Sequence, residues 1–336
     1  MDTLSNIRFV TLPPAEPDAG QIRRAEAREI EPAVRLILAS PSAPADPQQV
    51  RDLVRLAHLP HSPSLGLMVG CGIDGLVSAV LPVVSPGRTM LLFVPAYYPT
   101  AEHQQITGRL VAEICRRAAD ADVHLAQALL DPSDSQLAAL FSQWGFSRLA
   151  ELIYLQRYFG RLPEDPPLPP PYRWQTYSPQ SHDLFARTIE RTYQLSLDCP
   201  ALNGMRSMED IVAGHKAVGE FDPSLWFLLC RGESPLGVLI LSPVQHRDSL
   251  ELVYLGLVPE ARGRGLGDRM MRHAAYLAGR SRCRLTLAVD ASNRPALRLY
   301  WRHGMQSIVR RVAMLRDLRA LADRASVLST GRPQPP

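Results

Sequence analysis

The sequence reads as a mixed α/β protein built from two similar halves. Three observations predict this. Strand-like and helix-like periods alternate along most of the 336 residues, a glycine-rich turn joins a strand to a helix at Arg262–Gly267, and a set of elements in the first half recurs in the second. In the first half the apolar spacing predicts helices over 30–39 and 48–56, strands over 65–69, 76–84 and 89–94, a helix over 102–118, a strand over 123–130 and a helix over 134–144. Leu140-Phe141-Ser142-Gln143-Trp144-Gly145-Phe146 lines up with Leu299-Tyr300-Trp301-Arg302-His303-Gly304-Met305 at a constant offset of 159. At that offset Gly267 falls on Gly108, but Arg262 falls on His103 and Gly265 on Ile106.

Gly160 to Pro171 is proline-rich, unsuited to a helix or sheet interior, and reads as a semi-rigid linker or strap. The expected organisation is a domain over 1–160, a linker over 161–171, a second domain over 172–320 and a partly disordered tail over 321–336.

The second half carries the chemistry. A strand over 250–258 runs into Arg262-Gly263-Arg264-Gly265-Leu266-Gly267, and a helix follows over 268–279. A glycine turn at a helix start collects backbone N–H groups at the positive end of the helix dipole, which suits an anion such as a diphosphate. The spacing is Arg-x-x-Gly-x-Gly. A dinucleotide fingerprint would need a third glycine where Asp268 stands, and no Gly-Lys-Ser/Thr follows to make a Walker loop. Taken alone, the cluster also fits an ordinary tight turn. Downstream, Leu285–Val289 reads as a short buried strand, Asp290–Asn293 as a turn and cap, and Arg294–His303 as a helix with Pro295 in its first turn. Ala296, Leu299, Tyr300 and His303 share one face, Gly304-Met305 stops the helix, and a last strand pair is expected over 307–315.

Together, the strand Glu251–Val258, the loop Arg262–Gly267, the strand Leu285–Val289 and Asn293-x-x-Ala296-x-x-Leu299-Tyr300-x-x-x-Gly304-Met305 resemble the core of a GNAT (GCN5-related) N-acetyltransferase. Met305 departs from the phenylalanine usual in that family. The resemblance covers roughly residues 170–320, and the tandem arrangement with a worn first half is similar to that of the mycothiol synthases. It implies two tandem domains, each a mostly antiparallel mixed sheet flanked by helices, with the first degenerate and the second catalytic. It also implies acetyl-CoA as cofactor and transfer of its acetyl group to a primary amine of a small molecule by direct attack in a ternary complex. Peptide or protein N-termini are the alternative acceptors. A non-catalytic CoA-binding sensor is the alternative class.

The resemblance also assigns roles. Tyr300 would be the general acid at the CoA sulfur, and Glu251 the base, directly or through water; a glutamate at an exposed sheet edge is the plain alternative for the latter. The amides of Leu255 and Leu257 would hold the pantetheine arm, with the Leu255 N–H polarising the acetyl carbonyl. Val258 would follow them, the backbone of Arg262, Gly263, Arg264, Gly265, Leu266 and Gly267 would take the diphosphate, and Asn293 would contact the cofactor or cap its helix. The acceptor would lie against residues 193–216, which include Asp198, Cys199, Asn203, Arg206 and His215, and near Arg310 and Arg311. Asp198 or Glu209 could bind an ammonium group there, a solvated loop acid being the plain alternative for either, and a structural role the plain one for His215.

Composition excludes several other classes. Hydrophobic residues make up 46% of the chain, enough for real cores, yet no apolar run approaches the roughly 18–20 residues of a membrane helix. Met1-Asp2-Thr3 is not followed by a basic region and then an apolar one, so no signal peptide is expected. The net charge is +4 and Lys216 is the one lysine among 37 basic residues, scattered among acids, so neither nucleic acid nor membrane is an expected partner. Five cysteines without metal spacing predict reduced thiols, no metal site and a cytoplasmic protein, either monomer or homodimer.

Overall fold

The computed structural model describes residues 22–39, 44–58, 66–72, 75–165, 167–244, 248–281 and 283–321. The tail and the extreme N-terminus lie outside them. The chain forms two compact units whose boundary falls between Arg148 and Leu149, earlier than the expected 160. Among the described residues, one unit holds 149–312; the other holds those up to Arg148 and 313–321.

In the unit of residues 149–312 the sheet runs β6 (Ser147–Arg157), β11 (Arg284–Asp290), β10 (Ser249–Leu257), β9 (Ser234–Val244), β8 (Trp226–Arg231), β7 (Tyr172–Thr176). Only β10 and β11 pair in parallel; the other pairings are antiparallel. The mostly antiparallel mixed sheet is therefore as expected. Both faces are covered, which is why β9 reads as a near-continuous apolar run. Leu239 and Leu241 point into one cluster with Met270, Met271, Ala274, Leu277 and Ala278 of α7 (Leu266–Arg280) and Tyr300 of α8 (Arg294–Arg302). Val238 and Ile240 point into the other, with Phe185, Ile189, Ile211 and Val212 of α5 (His182–Tyr193) and α6 (Met208–Lys216).

The boundary moves because β6, encoded before the proline-rich stretch, pairs antiparallel with β11 from Leu152 to Arg157. The expected last strand pair is one continuous strand, β12 (Gln306–Asp317). Nothing in 307–315 offers the glycine or Asn-Gly a hairpin turn would need.

The other unit repeats the plan. Its sheet runs β1 (Ile22–Arg24), β2 (Met68–Gly72), β3 (Gly75–Ser85), β4 (Thr89–Phe93), β5 (Leu125–Leu130), followed by the end of β12. β4 and β5 form its parallel pair. Ile30, Val34 and Ile37 of α1 (Ile30–Leu38) and Val50 and Leu53 of α2 (Pro47–His58) pack with Val69, Ala79 and Leu81. α3 (Ala101–Asp120) and α4 (Ser135–Gln143) stand where α7 and α8 stand in the second half.

Candidate active site

The site begins as a parting of strands. β10 pairs with β11 only from Ser249 to Glu251, opposite Arg284 to Thr286. Beyond that, β11 continues to Asp290 paired to β6, and β10 continues to Leu257 paired to β9. A bulge between Leu252 and Tyr254 adds one residue to β10 and swings the strand away. The cleft opened there has a volume of about 1530 Å³ and is lined by residues 252–257, Ala288, Val289, Tyr300 and the glycine turn.

The glycine turn closes one end. Arg262 donates from Nε to the Leu257 carbonyl at 3.0 Å and from its Nη atoms to the carbonyls of Thr192, Gln194 and Leu195 at 2.9, 2.7 and 3.0 Å. Its guanidinium thus staples the end of α5 to the turn, and only its backbone is left for an anion. Gly263 and Gly265 hold φ of +73° and +75°, and a Cβ on either would meet open space. Their lack of side chains therefore keeps a cradle open in a backbone conformation that glycine tolerates. Gly265 is the N-cap of α7 and supplies no capping side chain, so the first amides of the helix face outward unsatisfied by it. Arg264, Arg269, Arg298 and Arg302 line the same cleft and add positive charge. An open cradle, an uncapped helix start and arginines together fit a diphosphate.

The other wall is α8. Asn293 caps it, Oδ1 accepting the Ala296 N–H at 3.3 Å, and also lines the cleft, so both readings of this residue describe its position. Leu297 and Tyr300, one turn apart, are its buried residues. Tyr300 is 7% exposed yet reaches the cleft, and among the described residues its hydroxyl makes no hydrogen bond. Burial, then the charge of Asp198, push its phenol well above the ordinary value, so it stays protonated. Tyr254 offers a second phenol, but Thr192 Oγ1 donates to the Ile189 carbonyl at 2.6 Å. The 2.6 Å contact between Tyr254 Oη and Thr192 Oγ1 then uses the tyrosine's proton.

Leu255, Leu257, Arg262–Gly267, Asn293 and Tyr300 thus meet in one cleft. Two expected residues stand apart from it. Val258 is buried and its N–H donates to the Leu236 carbonyl at 3.0 Å. Glu251 is half-buried at the last β10–β11 pair, opposite Ser242 and Thr286, and is not among the lining residues. Thr192 and Tyr254, which had no assigned role, line it too, as does Asp198. A glycine two positions after Tyr254 is the signal for that ring, since Tyr254 Oη would lie 2.7 Å from a Cβ on Gly256. Asp198 lay within the stretch expected at the acceptor.

The unit of the first half lacks this cleft's parts. β4 ends at Phe93, and α3 is already helical from Ala101, through the positions equivalent to the glycine turn. Thr100 caps it, Oγ1 accepting the His103 N–H at 3.4 Å. Trp144 lies so close to Gly108 that a Cβ there would be 2.6 Å from its Nε1, and Phe141, the counterpart of Tyr300, is fully buried.

Comparison with known proteins gives this geometry its class. Residues 189–305 match the model of the Acetyltransferase (GNAT) family. A curated mycothiol acetyltransferase of Actinosynnema mirum is 27% identical over 218 residues, covering 59% of this chain and 71% of that protein. Among solved structures, a GCN5-related N-acetyltransferase from Sphaerobacter thermophilus is 18% identical with a TM-score of 0.61, covering 91% of this chain and 98% of that one. A tandem GNAT protein from the clavulanic acid biosynthesis pathway is 14% identical with a TM-score of 0.50, covering 89% and 98%. The two structural likenesses speak for the fold alone. The protein is an acyltransferase of tandem α/β build. Residues 189–305 are thus similar to the GNAT acetyltransferases, a family whose acetyl donor is acetyl-CoA. Among the described residues no helix is long and apolar enough to cross a membrane.

Proposed function

We propose that the protein transfers the acetyl group of acetyl-CoA to a primary amine of a small molecule, by direct attack within a ternary complex formed on the second half of the chain. The observation that carries this reading is the parting of β10 and β11 after Glu251, with Tyr300 in the gap and the uncapped start of α7 at its end. When bound, acetyl-CoA supplies the thioester carbonyl that an amine attacks. Backbone N–H groups of residues 263–267 hold the diphosphate, and the arginines around them offset its charge. Residues 252–257 present main chain and apolar side chains to the pantetheine arm, in the manner of a strand laid against an edge. Tyr300, held protonated, donates to the departing sulfur.

A ternary complex fits the cysteines better than an acetyl-cysteine relay. Cys199 is the nearest thiol to the cleft in sequence, and burial together with Asp198 and Asp290 pushes it up to about 12. Such a thiol is a poor nucleophile at neutral pH. A small-molecule acceptor is supported by the relative named for mycothiol. The half without the glycine turn, with its capped α3 and buried Phe141, is read as non-catalytic.

The test is thiol release from acetyl-CoA in the presence of an amine panel. Tyr300→Phe is expected to lower turnover by about 100-fold or more while acetyl-CoA affinity, measured by calorimetry, is unchanged. Undiminished turnover in that variant would remove Tyr300 from the chemistry.

A further inference from the structure

We propose that Asp198 is the carboxylate that pairs with the acceptor's ammonium group, takes its proton, and passes that proton to Tyr300 after the acetyl group has moved. The proposal rests on the acetyl-transfer reading above and names the residue that handles the acceptor.

Placement is the first argument. Asp198 lies in the connection between α5 and α6, retains accessible surface, and lines the cleft that also holds Tyr300 and residues 252–257. The carboxylate is fixed across the open end of the strand parting. Asp198 Oδ1 accepts the Asp290 N–H at 3.3 Å, and the next residue returns the contact, Cys199 N–H donating to Asp290 Oδ2 at 3.2 Å. Asp290 is the last residue of β11, only 5% exposed, and its Oδ1 is taken by the Ser292 N–H at 2.8 Å. Both Asp290 oxygens are thus engaged by backbone. Asp198 Oδ2 carries no recorded bond among the described residues and belongs to the residue that faces the cleft.

The groups around Asp198 are Asp290 at the end of β11, Tyr193 at the end of α5, Tyr254 on β10, Tyr300 on α8 and the Cys199 thiol beside it. Arg206 bears on Tyr193 more strongly than Asp198 does, and Arg262 bears on Tyr254, but neither bears on the Asp198 carboxyl itself. Three phenols, a thiol and a second carboxylate leave Asp198 without a cation, and an ammonium ion is the partner that this ring lacks. The residue as a whole is exposed, yet the protein packed about its carboxyl group, with the Asp290 charge adding and the Asp290 N–H bond opposing, raises that group above the ordinary value, toward that of a working base.

The ammonium gives a proton to Asp198 Oδ2. The freed nitrogen lone pair forms a bond to the thioester carbonyl carbon, and the carbon–sulfur bond breaks with its electron pair on sulfur. Tyr300 gives its proton to that sulfur and recovers one from Asp198. The second proton on the newly acylated nitrogen then passes to Asp198, again a carboxylate, and leaves to solvent, so the products are the amide, the free thiol and one solvent proton. The order is self-consistent: the charge on Asp198 holds the Tyr300 proton in place, and neutralising Asp198 makes Tyr300 the stronger acid at the moment a proton is wanted. Glu251, outside the lining, has no part in this path.

The experiment uses the full chain with glucosamine, tyramine, spermidine and an alanine-led tetrapeptide as amine probes. Turnover is followed against pH, and amine binding to the protein–CoA complex is measured by calorimetry. Asp198→Asn is expected to lower kcat/KM by about 100-fold, raise KM for the amine and abolish the acidic limb of the pH profile, with acetyl-CoA affinity intact. Asp198→Glu should recover part of the rate and restore a limb, and Glu251→Gln should keep both. Loss of the limb in Glu251→Gln with its retention in Asp198→Asn would overturn the proposal. A wild-type protein whose CoA complex binds none of the amines and acetylates none would overturn it as well. Amine binding that Asp198→Asn abolishes, in a wild type that never releases thiol, would instead uphold the pairing and sink the acetyl-transfer reading.

Discussion

Gly256 has no side chain because two hydroxyls occupy the space one would need. A Cβ there would lie 2.7 Å from Tyr254 Oη and 2.8 Å from Thr192 Oγ1. Gly256→Ala is therefore expected to break that hydrogen-bonded pair and cost about 1–3 kcal/mol, visible as a lower denaturant midpoint at unchanged slope. His215 stacks on the same tyrosine at 5.3 Å, with Nε2 enclosed and without a partner. Burial and then Arg206 depress its pKa from 6.5 to about 4. The folded state thus prefers the neutral ring. The stability it contributes is whole above pH 6.5 and drains away as pH falls toward 4, because the unfolded chain binds the proton first. Denaturant midpoints measured between pH 7 and 4.5 should fall more steeply for the wild type than for His215→Gln. At this scale the sequence revealed what residue type and short spacing carry: the glycines, Tyr300 and Asn293. It did not reveal that Arg262 spends its guanidinium on carbonyls or that Val258 spends its amide on Leu236, because those choices depend on where a distant backbone arrives. The meeting of Asp198 with Asp290, 92 positions apart, is hidden for the same reason.

Two helices show how an anion site is kept or filled. α7 starts at a glycine with no capping side chain, whereas α3 starts several positions earlier relative to the repeat and is capped by Thr100. Gly265→Glu should strain a left-handed position and put a negative charge where a diphosphate would lie. A loss of acetyl-CoA affinity of at least about 100-fold in calorimetry is expected. Thr100→Ala should lower the melting temperature through a lost cap of about 1 kcal/mol and leave acetyl-CoA binding as it was. Equal damage to binding from both would mean that the two helices share the ligand. The helices and most strands were legible because their apolar periods are long. The bulge that parts β10 from β11 left no mark in Leu252-Val253-Tyr254, where every residue is a good strand former and the choice is made by pairing with β9. The missing turn in β12 was readable in the composition of 307–315.

Over the whole molecule the repeat is visible in matched interactions. Arg157 Nη1 donates to the carbonyl of His303 at 2.6 Å, and Arg316 Nη1 donates to that of Trp144 at 3.0 Å. Each arginine secures the end of a helix that precedes a left-handed glycine, Gly304 in one case and Gly145 in the other. In both cases arginine and helix come from opposite halves of the sequence yet share a compact unit. A fragment beginning at 161 is thus expected to lack β6, leave β11 with an open edge, and show neither cooperative melting nor acetyl-CoA binding. A fragment that melts sharply and binds would refute the dependence of β11 on β6.

This exchange bears on how such a chain can change over generations. A duplicated domain whose pocket has decayed is ordinarily free to be deleted. Here deletion of the first repeat would take with it the strand on which the cleft's β11 rests, so, on the proposed reading, an idle repeat is held hostage by the gene's own wiring.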